Sequence, residues 1–128
     1  MGGALETATR QHFDAVDRKD AEAIIRSAAN DVQGVDEISR SWQRGSDALG
    51  SYLRQAMGMV DDIQSTITDI HETLQGETGL VTCWLEQDYT LEGERTHVSA
   101  PTTVVFRQES DGWKIVLFHS VPMPPQET

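Results

Sequence analysis

The stretch that decides the expected fold is Gly112-Trp113-Lys114-Ile115-Val116-Leu117-Phe118-His119-Ser120. It follows a turn sequence at 109–112 and ends just before a proline-rich tail at 122–128. Apolar side chains occupy successive positions, so both faces of a strand built from this stretch are expected to be covered. The stretch therefore predicts a final β-strand over 113–121 within a layered domain.

Three further strands are expected before this one. After Gly58 the period of the apolar residues changes from helical to alternating, which predicts strands at 62–75, 80–91 and 94–107. The pair Glu92-Gly93 between the last two favours a tight hairpin. These four strands are predicted to follow one another as an antiparallel meander.

The first half of the chain is predicted to be helical. Apolar residues at helical spacing predict helices at 4–18, 21–29 and 46–59, with an irregular segment or short strand at 31–45. Three helices followed by a meander indicate an α+β domain, with the helices packed on one face of a curved antiparallel sheet. The length of 128 residues fits one domain over 1–128.

The charge composition argues against two classes of binding partner. Ten Lys and Arg against 21 Asp and Glu give a net charge of −11, which argues against nucleic acid and anionic membranes. No apolar run approaches the ~20 residues of a membrane span, and no secretory leader is evident, so a cytoplasmic protein is expected. The lone Cys83 is expected to be a small buried residue. The spacing of the four histidines indicates no metal site, and no cofactor motif is present.

A register for the sheet can be predicted from the hairpin. Pairing Leu91 with Glu94 places Asp88 opposite His97. Placing Thr103 opposite Val116 on the last strand then separates two faces. One carries Trp84, Glu86, Asp88, His97, Ser99, Thr103, Val105, Val116, Phe118 and Ser120. The other carries Cys83, Leu85, Val98, Ala100, Val104, Phe106, Trp113, Ile115, Leu117 and His119.

Both faces contain large apolar residues, and the helices can cover only one of them. A second subunit is the natural cover for the other face, so a homodimer through a sheet face is expected. The alternative is a monomer with an unusually apolar exposed sheet.

The order of the elements, the helix start at 44–49 (Arg-Gly-Ser-Asp-Ala-Leu) and the motif at 111–120 resemble the SnoaL-like/DUF4440 branch of the NTF2-like superfamily. The chain is also similar to ketosteroid isomerase-like proteins and to the association domain of calcium/calmodulin-dependent protein kinase II. The resemblance implies a cone-shaped fold with a pocket at its open end, and commonly a dimer. The arginines that line the kinase domain's pocket are not matched, because Thr103 and Ser120 stand at two of those positions.

Five residues are candidates for acid–base chemistry: His12, Asp36, Glu86, Asp88 and His97. Asp88 and His97 can form a carboxylate–imidazole pair across the hairpin, or a solvated cross-strand pair. His12 points inward from the first helix and can be a base, a ligand contact or a core histidine. Glu86 shares the predicted face of Trp84 and can have a raised pKa and act as an acid or base, or it can lie at a wet edge or in a dimer contact.

A mostly apolar pocket for a small molecule is expected. Its candidate lining residues are Trp42, Tyr52, Trp84, Thr103, Val116, Phe118 and Ser120. The function expected first is binding of a small molecule. The alternatives are an isomerase, dehydratase or cyclase that acts by general acid–base catalysis, and a homo-oligomeric assembly module.

Overall fold

The computed structural model describes residues 3–124, which form three α-helices and six β-strands. In chain order these are α1 (Ala4–Asp17), α2 (Ala21–Arg26), β1 (Ala28–Asp36), β2 (Gln43–Arg44), α3 (Ser46–Met57), β3 (Val60–Gln75), β4 (Thr78–Leu91), β5 (Glu94–Glu109) and β6 (Gly112–Ser120). The predicted α+β class is confirmed. Of the expected tail, residues 122–124 have no regular structure and 125–128 lie outside the described residues. No helix within 3–124 is long and apolar enough to cross a membrane.

The helix α1 packs along the sheet through the stripe that its sequence predicted. Leu5, Thr9, His12 and Phe13 are all buried. Leu5 belongs to one core cluster with residues of β4, β5 and β6, and Phe13 belongs to a second cluster with residues of β3, β4 and β5. The strand leaves room for the helix at Gly79, where an added Cβ would lie 2.6 Å from Leu5 Cδ1.

The helix α2 ends earlier than the predicted range 21–29. Asp20 caps its start by accepting a hydrogen bond from the Ala23 N–H at 3.1 Å. At its end, the Ser27 carbonyl accepts from the Ile115 N–H at 2.9 Å, and Lys114 Nζ donates to the Arg26 carbonyl at 2.8 Å. Because these hydrogen bonds join the end of α2 to β6, the helix stops there, and residues 28 and 29 belong to β1.

The sheet has six strands in the order β2-β1-β6-β5-β4-β3 and is mixed. The expectation of a wholly antiparallel sheet is wrong, because β1 pairs in parallel with β6. The segment 31–45, expected to be irregular or a short strand, supplies most of β1 and all of β2. Partners so far apart in sequence share no local turn signal, and this is why the sequence did not reveal the pairing.

The predicted register is confirmed for the β4–β5 hairpin and is wrong for β5–β6. Leu91 pairs with Glu94 and Asp88 with His97, as predicted. Thr103, however, lies opposite His119. Two of the three residues of this shift come from the tight hairpin that pairs Glu109 with Gly112, and the third comes from an irregularity at Val116. The shift from 116 to 119 is an odd number of residues, so it exchanges the two faces of the end of β6. Phe118 therefore faces the helices with Val104, and His119 faces outward with Thr103.

Candidate functional site

A cavity of about 110 Å³ lies between the helices, the start of β3 and the inner face of β1 and β6. This is many times the ~10–15 Å³ that one water molecule requires. Most of the wall is apolar, with residues such as Val32, Leu49, Leu53 and Ile115. The polar and ionisable wall residues are His12, Asp36, Glu37, Ser39, Gln43, Tyr52, Gln87, Tyr89 and Ser120.

His12 reaches this wall from the buried stripe of α1. Its side chain is 8% exposed, and its ring lies 4.8 Å from that of Phe118 and 5.1 Å from that of Phe13. Among the described residues, the buried Nδ1 atom has no hydrogen-bond partner. Burial lowers the pKa of His12 to about 4, because the charged imidazolium would lose its hydration. The ring is therefore neutral at physiological pH.

Asp36 ends β1 and is held firmly at the cavity wall. Its Oδ1 atom accepts hydrogen bonds from the backbone N–H groups of Ile38 at 3.0 Å and Ser39 at 2.8 Å. The same oxygen accepts from the Tyr52 hydroxyl at 2.7 Å. An aspartate that binds the next backbone amides is a common way to start a turn, so the sequence Asp-Glu-Ile-Ser places this carboxylate locally. Three donors on one oxygen orient it.

Tyr52 comes to Asp36 from α3. Burial raises the pKa of the Tyr52 hydroxyl, and the nearby Asp36 carboxylate raises it further. The group is therefore a stable hydrogen-bond donor that keeps its proton. Since that proton is donated to Asp36, the remaining lone pairs of the hydroxyl are what a molecule in the cavity can use.

Glu37 is the ionisable residue of the wall that titrates near neutral pH. Burial raises the pKa of its carboxyl to about 7, and the neighbouring Asp36 charge raises it as well. The hydroxyl of Tyr89 opposes part of this shift, and the pKa of Tyr89 is itself raised to about 12. A carboxyl group that is half protonated at neutral pH can both give and take a proton.

Glu37 is not among the candidate residues predicted from the sequence. In sequence it is one of two adjacent acids in a polar segment, with nothing to distinguish it from a solvated loop residue. The available signal was the Asp36-Glu37 pair itself, because two adjacent carboxyl groups at a buried strand end tend to repel each other's charge.

Five of the candidate residues line this cavity: His12, Asp36, Tyr52, Phe118 and Ser120. The Ser120 hydroxyl lies 2.9 Å from that of Thr102, which is buried and does not line the cavity. Four other candidates, Trp42, Trp84, Thr103 and Val116, are not on its wall. Trp42 is exposed and its ring lies 6.1 Å from that of His119, on the outer side of the sheet.

A second polar cluster lies on the outer face of the sheet and contains the other three acid–base candidates. His97 Nδ1 lies 2.8 Å from Asp88 Oδ1, and His97 Nε2 lies 3.1 Å from Glu86 Oε1. Glu86 also accepts from the Ser99 hydroxyl at 2.6 Å and from Trp84 Nε1 at 2.6 Å. The hydrogen bond from Ser99 is the main cause that lowers the pKa of Glu86, so the expectation of a raised pKa is wrong. The two carboxylates raise the pKa of His97, chiefly through the hydrogen bond with Asp88. This cluster is exposed and is separated from the cavity by the sheet.

Two other kinds of reactive site, a nucleophilic thiol and a metal site, are absent from the described residues. Cys83 is buried, as expected, and burial raises the pKa of its thiol to about 11, so the thiol stays protonated. Within residues 3–124, no three His, Cys, Asp or Glu side chains are grouped so as to hold a metal ion. The polar side chains on the cavity wall can support hydrogen bonding and proton transfer.

Comparisons with known proteins agree with this fold. The family model described as a SnoaL-like domain matches residues 5–124. A candidate dehydratase of the NTF2-like family from Streptomyces avermitilis is 23% identical, with 94% of this chain and 95% of that chain covered and a TM-score of 0.85. A ketosteroid isomerase-like protein from Erwinia carotovora atroseptica is 19% identical, with 94% of each chain covered and a TM-score of 0.80.

The CaMKII hub from S. rosetta is also similar, at 16% identity, with 96% of this chain and 99% of that chain covered and a TM-score of 0.79. The comparison with curated proteins finds no match. At these identities the solved structures indicate a shared fold and carry no activity with them. Since the family model spans nearly the whole sequence, the chain belongs to the SnoaL-like domain family.

Proposed function

We propose that this protein binds a small, mostly apolar organic molecule in the cavity between its helices and its sheet. The observation that carries the proposal is the cavity of about 110 Å³ with largely apolar walls and a few polar groups on them. Small-molecule sites in proteins have this composition, because apolar walls supply affinity and a few polar groups supply orientation.

Filling the cavity tests this proposal. Ala56 is buried on the cavity wall in α3, and Ala48 is exposed on the same helix. We expect the wild-type protein to enhance the fluorescence of naphthalene, and Ala56→Phe to weaken this binding at least tenfold by occupying the space. The matched control Ala48→Phe is expected to bind as the wild type does. Wild-type protein that binds neither naphthalene nor a ring of similar size would contradict the proposal.

A second candidate function is general acid–base catalysis on the bound molecule. Its specific support is the pKa of about 7 for Glu37, at a wall that also carries the Asp36–Tyr52 pair. A base is most effective when its pKa lies near the working pH. Related structures named as a dehydratase and as ketosteroid isomerase-like are consistent with chemistry in this fold. In this proposal Glu37 moves the proton, and Asp36 and Tyr52 position the substrate.

We also propose that a second copy of the chain covers the outer face of the sheet. Trp84 and Trp42 are 36% and 40% exposed there. An exposed patch of large apolar side chains is more informative than a single exposed apolar residue. Half-buried Val105, Leu117 and His119 extend the same face between them. Apolar patches of this kind mark contact surfaces. The similarity to a CaMKII hub supports an assembly role beside ligand binding.

A further inference from the structure

His12 lines the cavity, and one nitrogen of its imidazole has no hydrogen-bond partner among the described residues. It is more than nine-tenths buried, and its Nδ1 atom has no partner among the described residues. Its ring neighbours, Phe13 and Phe118, offer only aromatic contacts. Buried polar atoms in native proteins are nearly always paired, so an unpaired one in a side chain that lines a cavity indicates a partner from outside the chain.

The charges around the cavity restrict that partner. The wall contains no Lys or Arg among the described residues, while it does contain the two acids Asp36 and Glu37. His12 is neutral, because burial lowers its pKa to about 4. A bound carboxylate or phosphate would thus be buried without a counter-charge and close to acidic groups, which is strongly unfavourable.

A neutral imidazole has one nitrogen that donates a hydrogen bond and one that accepts. A carbonyl can only accept and an ether can only accept, so each suits one tautomer. A hydroxyl both donates and accepts, so it can pair with the His12 imidazole in either tautomer.

We infer that the ligand is an uncharged alcohol or phenol with a compact hydrocarbon body, whose hydroxyl pairs with the His12 imidazole. The inference rests on the proposed binding function and adds the chemical class of the ligand. It follows from three features on one wall: an unpaired buried imidazole, an absence of cationic side chains in the described lining, and apolar surface around them.

Three probes of one shape test it: naphthalene, 2-naphthol and 2-naphthoate, titrated at pH 7.5 and followed by their fluorescence. We expect 2-naphthol to bind about tenfold more tightly than naphthalene, the effect of roughly one net hydrogen bond. We expect 2-naphthoate not to bind at concentrations that saturate the protein with 2-naphthol. In His12→Phe, which keeps an aromatic ring but removes both nitrogens, the preference for the hydroxyl should vanish.

Two further measurements keep the test independent of folding. The control His71→Phe changes a histidine that is exposed on β3, and it should keep the wild-type preference. In the unmodified protein, the imidazole ¹⁵N resonances of His12 should shift on addition of 2-naphthol and much less on addition of naphthalene. These resonances report the hydrogen bond directly, whether or not the His12 variant is stable.

The outcomes separate the two proposals. Three results would overturn the ligand class and leave cavity binding intact. They are equal binding of naphthalene and 2-naphthol, tight binding of 2-naphthoate, and a preference for the hydroxyl that persists in His12→Phe. If none of the three probes binds, both the ligand class and the proposed binding function fail.

Discussion

At the scale of single residues, the neighbouring acids Asp36 and Glu37 on the cavity wall have different surroundings. Asp36 Oδ1 accepts three hydrogen bonds, from Ile38, Ser39 and Tyr52, and its position is therefore fixed. Glu37 has a hydrogen bond with the Tyr89 hydroxyl, and its pKa is raised to about 7 by burial and by the Asp36 charge. A carboxyl group with a raised pKa beside a second, fixed carboxyl group is a recurrent arrangement in acid–base sites.

Proton exchange into a ketone tests the role of Glu37. In D₂O, the Glu37 carboxylate should remove a proton from the carbon beside the carbonyl of 1-tetralone and return a deuteron from solvent. The rate should rise with pH through about 7, since the carboxylate form is the base and is populated above the raised pKa. Glu37→Gln should reduce the exchange at least a hundredfold.

The isosteric change keeps the size of the side chain, so cavity binding of naphthalene should be retained in Glu37→Gln. Deuterium incorporation followed by NMR is the measurement. Exchange that does not exceed the rate in buffer, or that is unchanged in Glu37→Gln, would rule out acid–base chemistry by this residue and leave the binding function standing.

At the scale of elements, the short helix α2 depends on its cap. It has six residues, and its first turn is tied by the Asp20 side chain, which accepts from the Ala23 N–H at 3.1 Å. A helix this short has little intrinsic stability, so capping and packing hold it. Its buried residue Ile24 lies on the cavity wall and packs with Ala15 and Leu53. The cap of α2 therefore supports one side of the candidate site.

Removal of this cap should be measurable. We expect Asp20→Ala to lower the free energy of unfolding by about 1 kcal/mol, which is the usual value of an N-cap. Urea denaturation followed by circular dichroism gives this quantity. The control Asp14→Ala removes an exposed acid from α1 and should change stability by less than about 0.5 kcal/mol. Equal effects of the two substitutions would contradict a specific capping role.

At the scale of the whole molecule, the sheet separates two surfaces with different expected partners. The inner face and the helices enclose the cavity in which we propose that a small molecule binds. The outer face carries Trp84 and the Glu86–His97–Asp88 cluster, and we propose a second copy of the chain as its cover. Because the two surfaces lie on opposite sides of one sheet, binding and assembly can be tested by separate substitutions.

Sedimentation velocity tests the assembly. We expect the wild-type protein to sediment as a dimer, and Trp84→Ser to raise the dissociation constant at least tenfold, since buried tryptophans dominate the energy of interfaces. The control Leu74→Ser changes a residue that is 63% exposed near the end of β3, away from the proposed contact. It should leave the dimer intact. A wild-type monomer would contradict the proposed interface, and a ring would favour the assembly module over a simple dimer.

The sequence by itself determined the elements and their local partners. Helical and alternating periods placed α1, α3 and the four strands of the meander, and the Glu92-Gly93 turn placed Asp88 opposite His97. The period of α1 also predicted that His12 points inward, and it is buried. These features depend on residues near one another in the chain, whose spacing the sequence displays directly.

The tertiary structure alone decided which side chains share the cavity. The irregularity at Val116 turns Phe118 inward and His119 outward, and the parallel pairing of β1 with β6 brings Asp36 and Glu37 to the same wall. A bulge and a pairing between distant strands depend on how the whole core packs, and neither leaves a periodic signal. The raised pKa of Glu37 is likewise a product of burial, and burial exists only once the chain has folded.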